Sequence, residues 1–234
     1  MQHLQHFVVG LVFASAVWFA GSPVVGEQKD EDESIDPEAL VEALVNPGKP
    51  FHIAPQEYDL KAQEKIKVAW WTLGNNAEQA CSTLVKHLDD KRYSISYHIA
   101  GNDEYPPKTV GHVCGRILGN AIEPAYRSHI QGVGGGGPST YYHFSYARMK
   151  FKDKEWQKKF KKKPLFKMQI DAVKWAIQTV DDFETDDVDK KADALKKLRA
   201  QLKELKKSRV PVKTRWTGFD AENFPDEYSV KKKR

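Results

Sequence analysis

Residues 68–90 read VAWWTLGNNAEQACSTLVKHLDD, and the spacing of their apolar side chains decides the fold class. From Ala77, the residues Ala80, Cys81, Leu84, Val85 and Leu88 return at intervals of three and four, which places all six on one stripe of an α-helix. Asn76 stands at the position of an N-cap, and Asp89-Asp90 closes the helix. Upstream, Ala62, Ile66, Ala69, Trp70 and Leu73 give a second stripe, so the spacing predicts a helix over Asp59–Leu73. Gly74-Asn75-Asn76 is the turn between the two. Two amphipathic helices joined by a tight turn each leave an apolar face to cover, which predicts helix-on-helix packing.

The pattern extends in both directions. Asp36-Pro37 is a helix start, with Leu40, Val41, Leu44 and Val45 facing inward and Asn46-Pro47-Gly48 as the stop. Lys108–Ile122 is predicted to be helical, burying Val110, Val113, Cys114, Ile117, Leu118, Ala121 and Ile122. Leu165–Val180 and Val188–Lys207 are two further helices, the latter with Val188, Ala192, Leu195, Leu198, Leu202 and Leu205 as its stripe. Arg92–Ala100 alternates and is β-prone, which predicts a short strand or extended segment over 92–100. Pro106-Pro107 belongs to a long turn, and Glu155–Lys163 is basic and polar, a solvated face with Trp156 and Phe160 tucked onto the core if it does not serve as a contact surface. The expected fold is therefore mainly α: a compact helical domain with its core around Trp70, Leu73, Leu84, Val85, Leu88, Val113, Ile117 and Leu118.

Lys61–Ile122 resembles a HEAT-type helical repeat region. Ala69–Gly74 follows the small-residue phrase that ends a first helix, Ala80–Asp90 the second helix with its Asp-rich turn, and Gly115–Gly119 the start of a next unit. Tyr93–Lys108 is inserted between the units, and about one and a half units are visible where a solenoid usually needs at least three. The resemblance therefore implies HEAT-like antiparallel helix pairs inside a compact domain. In general character the chain is similar to exported bacterial proteins built on such cores.

The expectation of export comes from the N-terminus. Phe7–Ala20, FVVGLVFASAVWFA, is an apolar run broken by Gly21-Ser22-Pro23 and followed by small residues to Gly26, the layout of a cleaved secretory signal. A membrane span needs about 20 apolar residues, so the run is short for an anchor. No stable span is expected after cleavage. The domain organisation read from the chain is a signal peptide at 1–26, an acidic leader and short helix at 27–57, the helical core with inserted loops at 58–180, and an amphipathic helix with a polar tail at 181–234. The expected location is secreted or periplasmic.

The net charge is +5, but the two signs are segregated. Residues 27–42 are acidic, whereas 149–167 and the C-terminal Lys231–Arg234 are basic. Lys158, Lys159, Lys161, Lys162 and Lys163, with Trp156 and Phe160 interleaved, are candidates for contact with a polyanion. Export makes nucleic acid an improbable target and favours a cell-envelope polyanion or a protein as partner.

No catalytic or cofactor-binding motif emerges, and no metal site is expected. Gly132–Thr140 is glycine-rich, but Pro138 stands where a phosphate-binding loop needs Lys. The histidines beyond the signal, His52, His87, His98, His112, His129 and His143, have no zinc-ligand spacing. There is no nucleophile elbow. Cys81 and Cys114 either form one disulfide or remain two buried thiols. A non-enzymatic exported binding or scaffold module is the favoured expectation. The alternatives are an envelope-associated structural protein, or an enzyme whose cleft would gather His98, His112, Glu123, Arg127 and His143.

Overall fold

The computed structural model describes residues 34–50, 60–96, 106–130, 133 and 145–213. Among these residues the fold is mainly α, with eight α-helices, two 3-10 turns and one two-stranded antiparallel sheet. Residues 1–26, read from sequence as a signal, the glycine-rich stretch apart from Val133, and residues 214–234 lie outside the described residues.

Helix α1 (Pro37–Ala43) begins as its sequence dictates. Asp36 Oδ1 accepts from the backbone N–H groups of Glu38 at 3.1 Å and Ala39 at 3.2 Å, satisfying two of the donors a helix start leaves open. Helix α2 (Leu60–Asn75) runs through Gly74 and Asn75, and Asn76 alone separates it from α3 (Ala77–Lys86). Asn76 does not cap α3 with its side chain. Its Nδ2 instead donates back to Thr72 O at 3.0 Å, closing α2. Thr72 O also accepts the Asn76 backbone N–H at 3.1 Å, so both nitrogens of Asn76 turn back onto α2.

Two corrections concern the segment before the next helix. Strand β1 covers Tyr93–Ser96, and its partner β2 is Pro107–Thr109, which the sequence assigns to a turn and a helix start. Tyr93 pairs with Thr109, Ile95 with Lys108 and Ser96 with Pro107, with the register shifting between Tyr93 and Ile95. Proline is tolerated because it ends a short two-stranded ribbon. Helix α4 therefore starts at Val110 and runs to Ile122, capped by Thr109 Oγ1, which accepts from His112 N at 3.1 Å. Turns Glu123–Ala125 and Arg127–His129 follow.

The second half adds α5 (Tyr146–Lys150), α6 (Lys154–Phe160), α7 (Leu165–Asp182) and α8 (Val188–Ser208). Helix α6 gives the basic, polar stretch a helical frame. Asp153 caps it, and Trp156 and Phe160 at i and i+4 are buried, so the lysines crowd its remaining surface. The stripe of α8 is also shifted: Ala194, Leu195, Leu198 and Leu205 are buried, whereas Val188 is 68% exposed. At about 100° per residue, Ala194 sits about 40° from Leu198 and Ala192 about 120° from it. A helix supported chiefly along α7 buries only the nearer arc.

Two apolar clusters result. One holds Ile66, Trp70, Leu73, Leu84, Ile95, Val113 and Ile117; the other holds Val85, Tyr126, Tyr146, Trp156, Met168 and Leu198. Helices α3 and α4 pack closely on each other and contribute to both clusters: Ala80 and Leu84 face one and Cys81 and Val85 the other, as do Ile117 and Leu118 on α4. Gln169, fully buried on α7, is satisfied by the backbone. Its Nε2 donates to Ala121 O at 2.8 Å and Val212 O at 2.9 Å, and its Oε1 accepts from Val212 N at 2.8 Å. That amide ties the residues beyond α8 to α7 and α4.

Candidate functional site

Helix α4 buries one face and lines a groove with the other. Val110, Val113, Cys114, Ile117, Leu118 and Ile122 point into the core, and Gly111, His112, Gly115, Arg116, Gly119, Asn120 and Glu123 line the groove. The alternation of one glycine and one polar residue every four positions keeps both rows on one helical face. The opposing wall comes from Leu88 and Asp89 at the end of α3, and from Ala147, Arg148, Phe151 and Lys152 around α5. Arg127 also lines the groove, which is open to solvent and holds about 410 Å³.

The glycines set the width of the groove. A Cβ on Gly111 would lie 2.4 Å from Leu88 O, so only glycine lets α4 approach the end of α3 this closely. Gly115 and Gly119 bring the α5 wall near, within ordinary contact of Phe151 and Ala147. Charge along the lining is mostly positive: Arg116, Arg127, Arg148 and Lys152 against Asp89 and Glu123. Both carboxylates are engaged, Glu123 by Arg127 and Asp89 by Lys154. The Arg116 guanidinium stands 5.9 Å from the Trp70 ring centroid, resting on the core below it. His112 is exposed at the groove edge, and partial desolvation, with repulsion from Lys108 and Arg116, holds its pKa below the ordinary imidazole value. The imidazole is therefore neutral near pH 7.

Of the residues expected to gather in a cleft, His112, Glu123 and Arg127 line this groove. His98 and His143 lie outside the described residues. Arg116, Asn120, Arg148 and Lys152 were not singled out by sequence reasoning. For Arg116 and Asn120 the signal is the glycine at every fourth position of α4, whereas Arg148 and Lys152 carry no local signal. His87 belongs elsewhere: its Nε2 is 3.0 Å from Glu38 Oε2 and its Nδ1 3.3 Å from Asp90 Oδ2.

That second cluster holds α1 in place. Glu38 also meets Lys86 at 2.6 Å, and Arg92 bridges Glu42 at 2.6 Å and Asp90 at 2.6 Å. The hydrogen bond from Lys86 holds the Glu38 carboxyl down at about 2, and those from Arg92 hold Asp90 at about 2. Because both values are depressed, their stabilisation is full above the ordinary carboxylate range and lost as pH falls through it toward 2. We expect the urea midpoint to fall between about pH 5 and pH 2. Glu38→Gln should flatten that slope, and an identical slope in the variant would show that the clamp does not contribute.

Cys81 and Cys114 are separate buried thiols here. Cys81 Sγ donates toward Glu78 O at 3.3 Å and Lys163 O at 3.5 Å. Burial pushes the Cys81 thiol up to about 11 and Cys114 up to about 12, so neither carries appreciable thiolate at neutral pH. Alkylation at pH 7.5 is expected to be negligible in the folded chain and to reach both cysteines in denaturant without reductant. Mass spectrometry that finds no reactive thiol until reductant is added would establish a Cys81–Cys114 bridge instead.

The five candidate lysines do not behave alike. Lys158, Lys161, Lys162 and Lys163 are exposed. Lys159 is also exposed but pairs with Asp171 at 2.7 Å and lies over the Phe160 ring, so it belongs to the α6–α7 contact. Among the described residues, no group of three or more His, Cys, Asp or Glu is placed to hold a metal ion, and no helix is long and apolar enough to cross a membrane. No family model, curated protein or solved structure matches the chain.

Proposed function

We propose that this chain is an exported, non-enzymatic binding module whose ligand site is the α4 groove. The observation that carries the reading is the groove itself: a cavity of about 410 Å³ whose lining arginines are presented by packed helices. Its two carboxylates are held in ion pairs, and both described thiols sit in the cores, away from the lining. These groups serve recognition better than proton transfer or nucleophilic attack. The helix pair α2–α3 with α4 packed on it supports the repeat-like reading of 61–122. The apolar run at 7–20 supports export.

Hydrogen–deuterium exchange tests the module reading. The purified protein would be measured alone, with the small-molecule fraction and with the macromolecular fraction of an extracytoplasmic extract of its source cells. Protection over α4, 123–129 and 145–152 by either fraction is expected. Unchanged exchange there with both fractions would remove the proposal.

A second reading, attachment to an envelope polyanion, is favoured by the exposure of Lys158, Lys161, Lys162 and Lys163 around a helix whose aromatics face inward. It predicts release from an envelope fraction by salt, since exposed charges are screened over about 8–10 Å at physiological ionic strength. Retention at high salt would refute it.

A further inference from the structure

We infer that the α4 groove binds a small, multiply charged oxyanion, bearing phosphate or carboxylate groups, held chiefly by Arg116, Arg148 and Lys152. This inference rests on the module reading and specifies its ligand. Three observations lead to it.

The first is charge. Four cationic residues, Arg116, Arg127, Arg148 and Lys152, line the groove against two carboxylates, Asp89 and Glu123. Lys154, outside the lining, holds Asp89, and Arg127 holds Glu123. The groove therefore favours an anion and opposes a cation. His112, exposed beside Arg116 on the same face of α4, is one of the lining side chains. A neutral His112 and the Asn120 amide add uncharged hydrogen-bonding groups beside the cations.

The second is the geometry of presentation. Arg116 belongs to α4, whereas Arg148 belongs to α5 and Lys152 to the turn just after it, so the charges come from two walls rather than one exposed helix face. The two walls lie close, since a Cβ on Gly115 or Gly119 would already stand in ordinary contact with Phe151 or Ala147. A guanidinium offers planar paired donors that match two oxygens of a carboxylate or phosphate, and a lysine adds a point charge. The Arg116 guanidinium lies 5.9 Å from the Trp70 ring centroid, a cation–π contact at the outer limit of its range.

The third is size. The open groove holds about 410 Å³, room for a small anion between α4 and the α5 wall. Phe151, Leu88 and Ala147 give the groove an apolar side, so the ligand carries a short apolar portion beside its charges.

The experiment is calorimetric titration of the full purified chain with pyrophosphate and with citrate, at matched ionic strength. Saturable binding of at least one is expected; the tighter of the two says whether phosphate or carboxylate is preferred. Arg116→Gln and Arg148→Gln should each weaken it about tenfold, the effect of one charge-assisted hydrogen-bond partner. Arg116→Lys should recover part of the loss, and Lys158→Gln/Lys162→Gln, outside the groove, should change nothing. All four positions are exposed, and circular dichroism checks that each variant folds. The inference is overturned if neither anion binds up to about 10 mM. It is overturned equally if the outlying lysine variant loses as much affinity as the arginine variants. Binding of a polyglutamate peptide without either small anion would also overturn it. Exchange protection by extract, with no response to either anion, would sink this inference and leave the module reading standing.

Discussion

Gly111→Ala is expected to destabilise the fold by about 2–4 kcal/mol in urea unfolding, because the added methyl has nowhere to go. Its Cβ would stand 2.4 Å from Leu88 O, 2.9 Å from Leu88 C and 3.0 Å from Asp90 N. All three atoms are backbone, so no side chain can rotate away. Gly111 N also donates to Asp90 O at 2.9 Å, which locks the two segments at this separation. To admit alanine, α4 must move off the end of α3 and disturb a contact that serves both apolar clusters. Gly115→Ala and Gly119→Ala provide the contrast. Their nearest neighbours would be side-chain atoms at 3.6 Å and 3.5 Å, ordinary contact distances. Helix propensity favours alanine there by about 1 kcal/mol, so these two variants should be neutral or slightly stabilised. If Gly111→Ala matched wild type, the described approach of α3 and α4 would be wrong.

Tyr146→Phe is expected to cost about 2–3 kcal/mol, more than one average hydrogen bond, because two partners lose theirs. The hydroxyl donates to Asp171 Oδ2 at 2.6 Å and accepts from Trp156 Nε1 at 2.6 Å. Trp156 is 4% exposed, so its indole N–H would be left in the core without an acceptor. Asp171 keeps Lys159 but loses its inner donor. Burial, then the Asp171 carboxylate, raises the Tyr146 pKa well above the ordinary phenol value, which keeps the hydroxyl protonated as the donor this network requires. The ring itself is held by Trp175 at 5.5 Å and Trp156 at 6.1 Å, and phenylalanine preserves those contacts. A double-mutant cycle with Trp156→Phe separates the hydroxyl from the packing. The combined loss should fall short of the sum of the single losses, since removing both groups leaves no orphan N–H. Strict additivity would mean that the two side chains are not coupled.

Much of the helical pattern could be read from periodicity. The extents of α1, α7 and α8 and most of the residues they bury follow from spacing, and the inward faces of α2, α3 and α4 do too. The failures have particular causes. Strand β2 is three residues long and includes Pro107, so it carries no local β signal; it exists because β1 needs a partner. Helix α6 hides its two aromatics among lysines, and its average polarity conceals an i, i+4 pair. Asn76 stands at the N-cap of α3 as its sequence position implies, but its side chain bonds back to α2, because an amide between two helices can satisfy either and only the backbone positions choose.

The candidate site was less legible still. His112, Glu123 and Arg127 could be named as cleft residues, but Arg148 and Lys152 read as surface charge. Their neighbours across the groove are more than twenty residues away in sequence, and local spacing carries no information about such partners.

By itself the sequence determined the mainly helical class, the separation of acidic and basic segments, and which faces turn inward, because periodicity and charge are local properties of the chain. Only the tertiary structure decided which arginines share a groove, which lysine is taken up by Asp171, and that position 111 must be glycine. Those facts depend on distances between segments remote in the chain, and distances of that kind are set by packing.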